Sequence, residues 1–163
     1  MVVIADTSPI VALLHLRHIH LLYELYGQVF IPTMVANELN TLTQFGYDLS
    51  FLERKDVFII RQPTDAKFIT EVSEILDPGE AEAIALAKEL KANLLLIDEK
   101  LGREFAIAEH INCKGAVGIL IDAKQKGFIP LLKPLLDDLV NNLKFRLSDR
   151  IYLLALRRAG EYL

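Results

Sequence analysis

Short, wholly apolar runs alternate along this chain with longer segments of helical spacing. Val2 to Ala5 is a β-branched run without a polar residue, as a strand covered on both faces requires. From near Pro9 a leucine-rich helical stretch runs through Leu13, Leu14, Leu16, Leu21, Leu22 and Leu25 to a stop at Gly27, and His18 to His20 offers a break within it. Gln28 to Ile31 reads as a second strand. Pro32 is expected in the first turn of the next helix, where a missing N–H costs little; that helix carries Val35, Ala36 and Leu39 inward and ends near Gly46. Val57 to Ile60 is apolar with no assigned role, and Lys67 to Leu76 reads as helical. Asp77, Pro78, Gly79 and Glu80 form a strong helix start, with an acidic cap, a proline just inside and a glutamate three residues on. That helix extends to about Lys91. Leu94 to Ile97 is the clearest buried strand. Helices over Lys100 to Glu109 and Ala116 to Lys126 flank a short strand at Ile111 to Lys114, and the remainder from Pro130 reads as helical. Strands separated by helices predict a three-layer α/β/α sandwich with a short central parallel sheet. No repeat or linker divides the chain, so residues 1–163 are expected to form one domain, with a helical extension over about 130–163.

Composition narrows the class. An apolar content of 52% beside 25% charged residues marks a globular chain with a real core. Met1 to Ala5 is too short for a signal peptide and lacks a basic lead-in, and no run approaches a membrane span. Cys113 is the single cysteine, so no intrachain disulfide forms; it reads as an inert thiol, and a reducing cytoplasm is the expected location. The net charge of −4 argues against a protein that grips nucleic acid by overall charge, but two divalent cations in an acid cluster would cancel it. Between Asn141 and Leu163, five basic residues (Lys144, Arg146, Arg150, Arg157, Arg158) stand against Asp149 and Glu161. This strip reads as a solvated face, with a substrate-facing strip as the alternative.

Four acids mean more together than singly. Asp6 and Asp98 each stand just past a buried strand, and in a parallel sheet ligands collect at the carboxyl ends of the strands. Glu38 lies in the helix after the second strand. Glu80 lies in the first turn of the helix that leads to Asp98. Carboxylates gathered without a local lysine or arginine are costly unless a cation sits among them. Hard ions such as Mg²⁺ or Mn²⁺ prefer such oxygen ligands, and a pair of them suits phosphodiester hydrolysis.

These stretches carry a resemblance. VIADTSPIVALL looks like the opening of a PIN domain, IPTMVANEL is similar to the family's second acidic motif, and GEAEAIALAKELKANLLLIDEKLGR resembles the third and fourth. The likeness runs from Val2 to Phe128, and its closest flavour is a toxin-like PIN branch. It implies a Mg²⁺- or Mn²⁺-dependent endoribonuclease, often the toxin of a toxin–antitoxin pair with a small antitoxin protein as partner, and often a homodimer. It also implies that Asp6, Glu38, Glu80 and Asp98 serve as catalytic metal ligands. Two departures stand out: the third acid is glutamate where many relatives have aspartate, and Glu99 and Lys100 follow Asp98, so a fifth acid is not in its commonest place.

Each candidate also has a plainer reading. Asp6 could cap the helix beginning near Ser8, although Thr7 or Ser8 could do so equally. Ser8 could orient a metal-bound water or merely cap. Glu38 could be an exposed helical acid, Glu80 half of a capping box, and Asp98 the close of a turn. Glu82 rivals Glu80, but two residues along a helix it points about 200° away. Glu99 could stand in as a ligand or face solvent; Arg103 could contact phosphate or pair with Glu99 or Glu104. The four histidines show no metal spacing. A glycine-rich phosphate loop is absent, and an aspartyl-phosphate enzyme would want a second Asp where Ser8 stands. A structure-specific DNA nuclease would need clamp segments that this short chain lacks. A PIN-like protein- or nucleic-acid-binding module, using the leucine-rich stretches Leu13 to Leu25 and Leu131 to Leu143, is the alternative from another class.

Overall fold

The computed structural model describes residues 1–162. Five parallel strands make one sheet: β1 (Val3–Ala5), β2 (Val29–Pro32), β3 (Phe58–Arg61), β4 (Leu94–Leu96) and β5 (Cys113–Lys114), in the order β3-β2-β1-β4-β5. Central β1 pairs on both sides, with Ile4 opposite Phe30 of β2 and Leu95 of β4. The helices are α1 (Thr7–His15), α2 (Leu21–Tyr26), α3 (Thr33–Asn40), α4 (Ala66–Val72), α5 (Pro78–Glu89), α6 (Lys100–Ala108), α7 (Ala116–Gln125), α8 (Lys133–Asn142) and α9 (Asp149–Arg158). The α/β/α architecture read from the sequence is the one observed.

Side-chain alternation along the strands fills two cores. Val3, Ala5, Val29, Ile31 and Leu96 pack with α1, α2, α7 and α8 on one face of the sheet. Ile4, Leu95 and Ile97 pack with α5 and Ala106 of α6 on the other. In the leucine-rich stretches Leu13, Leu21, Leu22, Leu132, Leu136 and Leu139 are fully buried in the first core, while Leu131 is exposed. Among the described residues no helix is long and apolar enough to cross a membrane.

Several local expectations are refined. The leucine-rich stretch does break, between α1 and α2, with Arg17 at φ +60. Pro32 ends β2 in an extended conformation and occupies the N-cap position of α3 instead of its first turn. A 3₁₀ segment, Thr41–Phe45, continues α3 to Gly46, whose φ of +86 favours a residue without Cβ. Val57 to Ile60 supplies the edge strand β3, paired with β2. The region after Pro130 is two helices, because Lys144 takes the left-handed conformation at φ +58 after α8 and Ser148 caps α9 by accepting the Ile151 N–H at 3.2 Å.

The sheet order places a topological switch between β1 and β4, whose following connections lead to opposite sides. Such a switch opens a crevice at the carboxyl ends of the two strands. Asp6 and Asp98 stand at those ends, and the Asp6 N–H is bonded to the Leu96 carbonyl at 2.9 Å.

Candidate metal centre

Asp6 directly follows β1 and sits at the N-cap position of α1, yet its side chain makes no capping hydrogen bond. It is 3% exposed. Burial, with Asp77, Glu80 and Glu38 nearby, pushes its carboxyl up to about 8 against the opposing pull of the Thr7 backbone.

Glu38 reaches in from α3, where its Oε2 accepts the Thr7 hydroxyl. Room for this carboxylate comes from Gly79: a Cβ there would lie 2.5 Å from Glu38 Oε1. Burial raises the Glu38 pKa, and the Thr7 and Gly79 hydrogen bonds only partly offset it.

Glu80 is 6% exposed at the start of α5. Its backbone N–H is held by the Asp77 carboxylate at 2.8 Å. Burial first, then the charge of Asp77, raises its pKa; Glu99 adds to the effect. Gly102 of α6 lies against this side chain at ordinary contact distance, and a Cβ there would conflict with Ile97 Cδ1 at 2.8 Å, not with Glu80. Asp77 thus joins the cluster as a further carboxylate, a role that its capping position alone does not announce.

Asp98 follows β4. Its Oδ1 accepts the Ala116 N–H at 3.0 Å, and its Oδ2 is buried with no hydrogen-bond partner. Burial pushes its pKa up to about 6, with the Ala116 N–H and the Arg103 guanidinium opposing and Glu99 assisting. A Cβ at Gly115 would lie 2.3 Å from Asp98 Oδ1, so this residue too occupies space that a glycine leaves free.

The remaining candidates separate. Glu82 is buried, but its Oε1 accepts the Met34 N–H at 3.0 Å, capping α3, and its Oε2 lies 3.4 Å from the Gln62 amide. Both its oxygens are thus engaged, although its charge still helps to raise the Glu38 pKa. Thr7 links Glu38 to a cleft of about 1160 Å³ that is also lined by Ser8, Asp98, Glu99 and Arg103. Lys144, Arg146 and Arg158 of the C-terminal strip line it as well, so these three share a cleft with Asp98 and Glu99 and do not lie on a remote solvated face. Arg103 makes no salt bridge among the described residues; Glu104 pairs with Lys100 instead, at 4.0 Å. Cys113 is half-buried on the cleft, its thiol raised by burial.

The donor set is entirely oxygen, as hard divalent ions prefer. No lysine or arginine forms a salt bridge with Asp6, Glu38, Glu80 or Asp98 among the described residues, and the bare Asp98 Oδ2 lacks any partner. In charge and chemistry these residues fit such a cation. Their oxygens do not converge on one point: among the described residues no three His, Cys, Asp or Glu side chains form a ready metal-holding group.

The family model for the PIN domain matches residues 2–161. The chain belongs to the PIN domain family. PIN domains commonly have nuclease activity and typically use divalent metal ions. Among solved structures, a PilT N-terminus domain protein from the hyperthermophilic archaeon Sulfolobus solfataricus P2 is similar, with a TM-score of 0.52 and 20% identity over 76% of this chain and 93% of that one. That likeness supports the PIN fold. No curated protein matches the chain in sequence.

Proposed function

We propose that this PIN domain is a metal-dependent endoribonuclease that hydrolyses RNA phosphodiester bonds with Mg²⁺ or Mn²⁺. The observation that carries the reading is the buried, partnerless Oδ2 of Asp98 together with a set of carboxylates whose pKa values are raised and which form no salt bridge among the described residues. Isolated buried carboxylates of this kind are destabilising, so their retention argues for a ligand that compensates them.

Asp6, Glu38, Glu80 and Asp98 would hold the metal. A bound divalent pair would supply Lewis acidity for in-line attack of water on the phosphodiester and charge to stabilise the leaving oxygen. Thr7 orients Glu38 by its hydroxyl, and the Ala116 N–H fixes one oxygen of Asp98, which leaves the other without a hydrogen-bond partner. Arg103, exposed on the cleft and in no salt bridge among the described residues, would contact substrate phosphate.

The test is incubation of the purified protein with varied RNAs and Mg²⁺ or Mn²⁺, beside an Asp6→Asn control. Cutting that needs both the metal and Asp6 is expected. A role as the toxin of a toxin–antitoxin pair, with a small antitoxin partner and a homodimeric state, extends the same reading. Growth arrest on expression, relieved by Asp6→Asn, checks it.

One observation favours a second reading, a PIN-fold binding module with little turnover: the carboxylates are not gathered into a three-ligand group. That module would bind partners without cutting RNA under any metal condition.

A further inference from the structure

The cleft that begins at Asp98 has a second wall that the acid cluster does not explain. Residues 143–158 form it, and they are unusual in a chain of net charge −4. Lys144, Arg146 and Arg158 all line the cleft and are exposed, and none enters a salt bridge among the described residues. Neighbouring lysines are paired: Lys114 with Asp122 and Lys124 with Glu161. An acidic chain that leaves three cations unpaired on one cleft creates a local positive field where field lines are focused.

Apolar side chains are interleaved with these cations. Phe145 and Leu147 alternate with Lys144 and Arg146, half-buried with one side against the first core, and Ile151 and Leu154 of α9 border the same cleft while 43% and 38% exposed. Cations alone would suit any anion. Cations alternating with flat or apolar surface suit a polymer whose phosphates alternate with unstacked bases. The cleft volume of about 1160 Å³ also exceeds the range of roughly 300–1,000 Å³ usual for one small ligand.

We propose that residues 143–158 are the wall that grips the RNA as a single strand. Lys144, Arg146 and Arg158 neutralise its phosphates, while Phe145, Ile151 and Leu154 receive unstacked bases. They are positioning residues and take no part in bond breaking. That the strand is RNA rests on the nuclease reading above; the grip itself rests on the cleft.

The experiment is fluorescence anisotropy of a labelled single-stranded RNA of mixed sequence, about twelve nucleotides long to span several such contacts, with EDTA present so that binding is read without cutting. Wild type is compared with the triple variant Lys144→Gln, Arg146→Gln, Arg158→Gln and with Arg146→Gln alone. A second triple, Lys55→Gln, Lys67→Gln, Lys126→Gln, removes exposed cations outside the cleft. Each lost phosphate contact should flatten the slope of log affinity against log salt by about 0.7, so the cleft triple loses about 2 and the outside triple loses none. In Mn²⁺ the cleft triple should raise KM about tenfold or more with kcat unchanged. Since all three side chains are exposed, folding should hold, and the single variant tests the grip with less disturbance.

An unchanged salt slope and KM in both cleft variants would overturn the proposal, as would duplex RNA binding as tightly as the single strand. If wild type binds the strand in EDTA with the expected slopes yet never cuts with metal, the nuclease reading fails and the wall stands. If it cuts with KM and slope indifferent to the cleft variants, the wall fails and the nuclease reading stands.

Discussion

Asp98 and Ala116 are joined by a hydrogen bond of 3.0 Å from the Ala116 amide to one carboxylate oxygen, which leaves the other oxygen buried and bare. The bond depends on Gly115, because any Cβ there would press to within 2.3 Å of that same oxygen. Its φ of −96 is open to alanine, so the conflict is one of space alone. Gly115→Ala should therefore push the carboxylate aside, cutting metal-dependent RNA cleavage about tenfold or more. The overpacking should cost about 1–3 kcal/mol of stability. Cleavage rates and a thermal melt check both; a variant as active as wild type would separate Asp98 from the chemistry.

Glu80 and Glu82 should respond in opposite ways. Glu82→Ala deprives the Met34 N–H of its acceptor at the start of α3, which should lower stability by about 1–3 kcal/mol while cleavage below the melting range persists. Glu80→Gln should leave the melt nearly unchanged or raise it, and should reduce cleavage about a hundredfold or more, as loss of a charged ligand does. The reverse pattern would make Glu82 the third acid.

Much of this arrangement is legible in the chain itself. Apolar runs mark β1 and β4, and the acid that ends each run is placed at the switch point as soon as the sheet is known to be parallel. The role of Glu82 is not legible, because helical periodicity gives its angle around α5 but not that the N-terminus of α3 lies opposite it, 48 residues away. Gly79 and Gly115 carry a similar hidden meaning. Both read as helix-start residues, yet what they provide is room for carboxylates from other elements. Asp77 reads as a cap and is one, but only the fold brings its charge against Asp6, Glu38 and Glu80. The C-terminal cations are the clearest case: a local surplus of charge has no direction until the segment after α8, together with α9, brings it to the cleft that Asp98 also lines.

Thr7→Val should test how far Glu38 depends on its support. The substitution keeps the volume and removes the hydroxyl that Glu38 Oε2 accepts. Hydrogen bonds that orient a metal-holding carboxylate are typically worth about 10–100-fold in metal affinity or activity. The Mn²⁺ concentration giving half-maximal cleavage should rise by that factor, and the maximal rate should recover at high Mn²⁺. Unchanged metal dependence would show that Glu38 needs no such positioning.

Stability of the metal-free chain should fall as pH rises, opposite to the behaviour of most carboxylates. Asp6 has its pKa raised from 3.8 to about 8 and Asp98 from 3.8 to about 6, chiefly by burial, and Glu38 and Glu80 move upward as well. A carboxyl whose folded pKa exceeds its unfolded one binds its proton more tightly when folded. Its contribution is complete below about pH 4 and is lost as pH rises through the folded value. In EDTA the melting temperature should thus decline between about pH 4 and pH 8, most steeply between about pH 4 and pH 6, where Asp98 and Asp6 both hold a proton only in the folded chain, and it should level off once Asp6 has ionised. Asp6→Asn removes the larger share of this penalty, and at pH 8 should stabilise the metal-free chain by at least about 2 kcal/mol, roughly 5 °C for a chain of this size. Mn²⁺ should reverse the decline in wild type by binding the ionised cluster, and should do little once Asp6→Asn and Asp98→Asn are combined. Differential scanning calorimetry across pH, with and without the metal, reads all of these. A melting temperature that climbs from pH 5 to pH 8 in EDTA would mean that the acids are solvated after all, and the charge deficit that invites a cation would be gone.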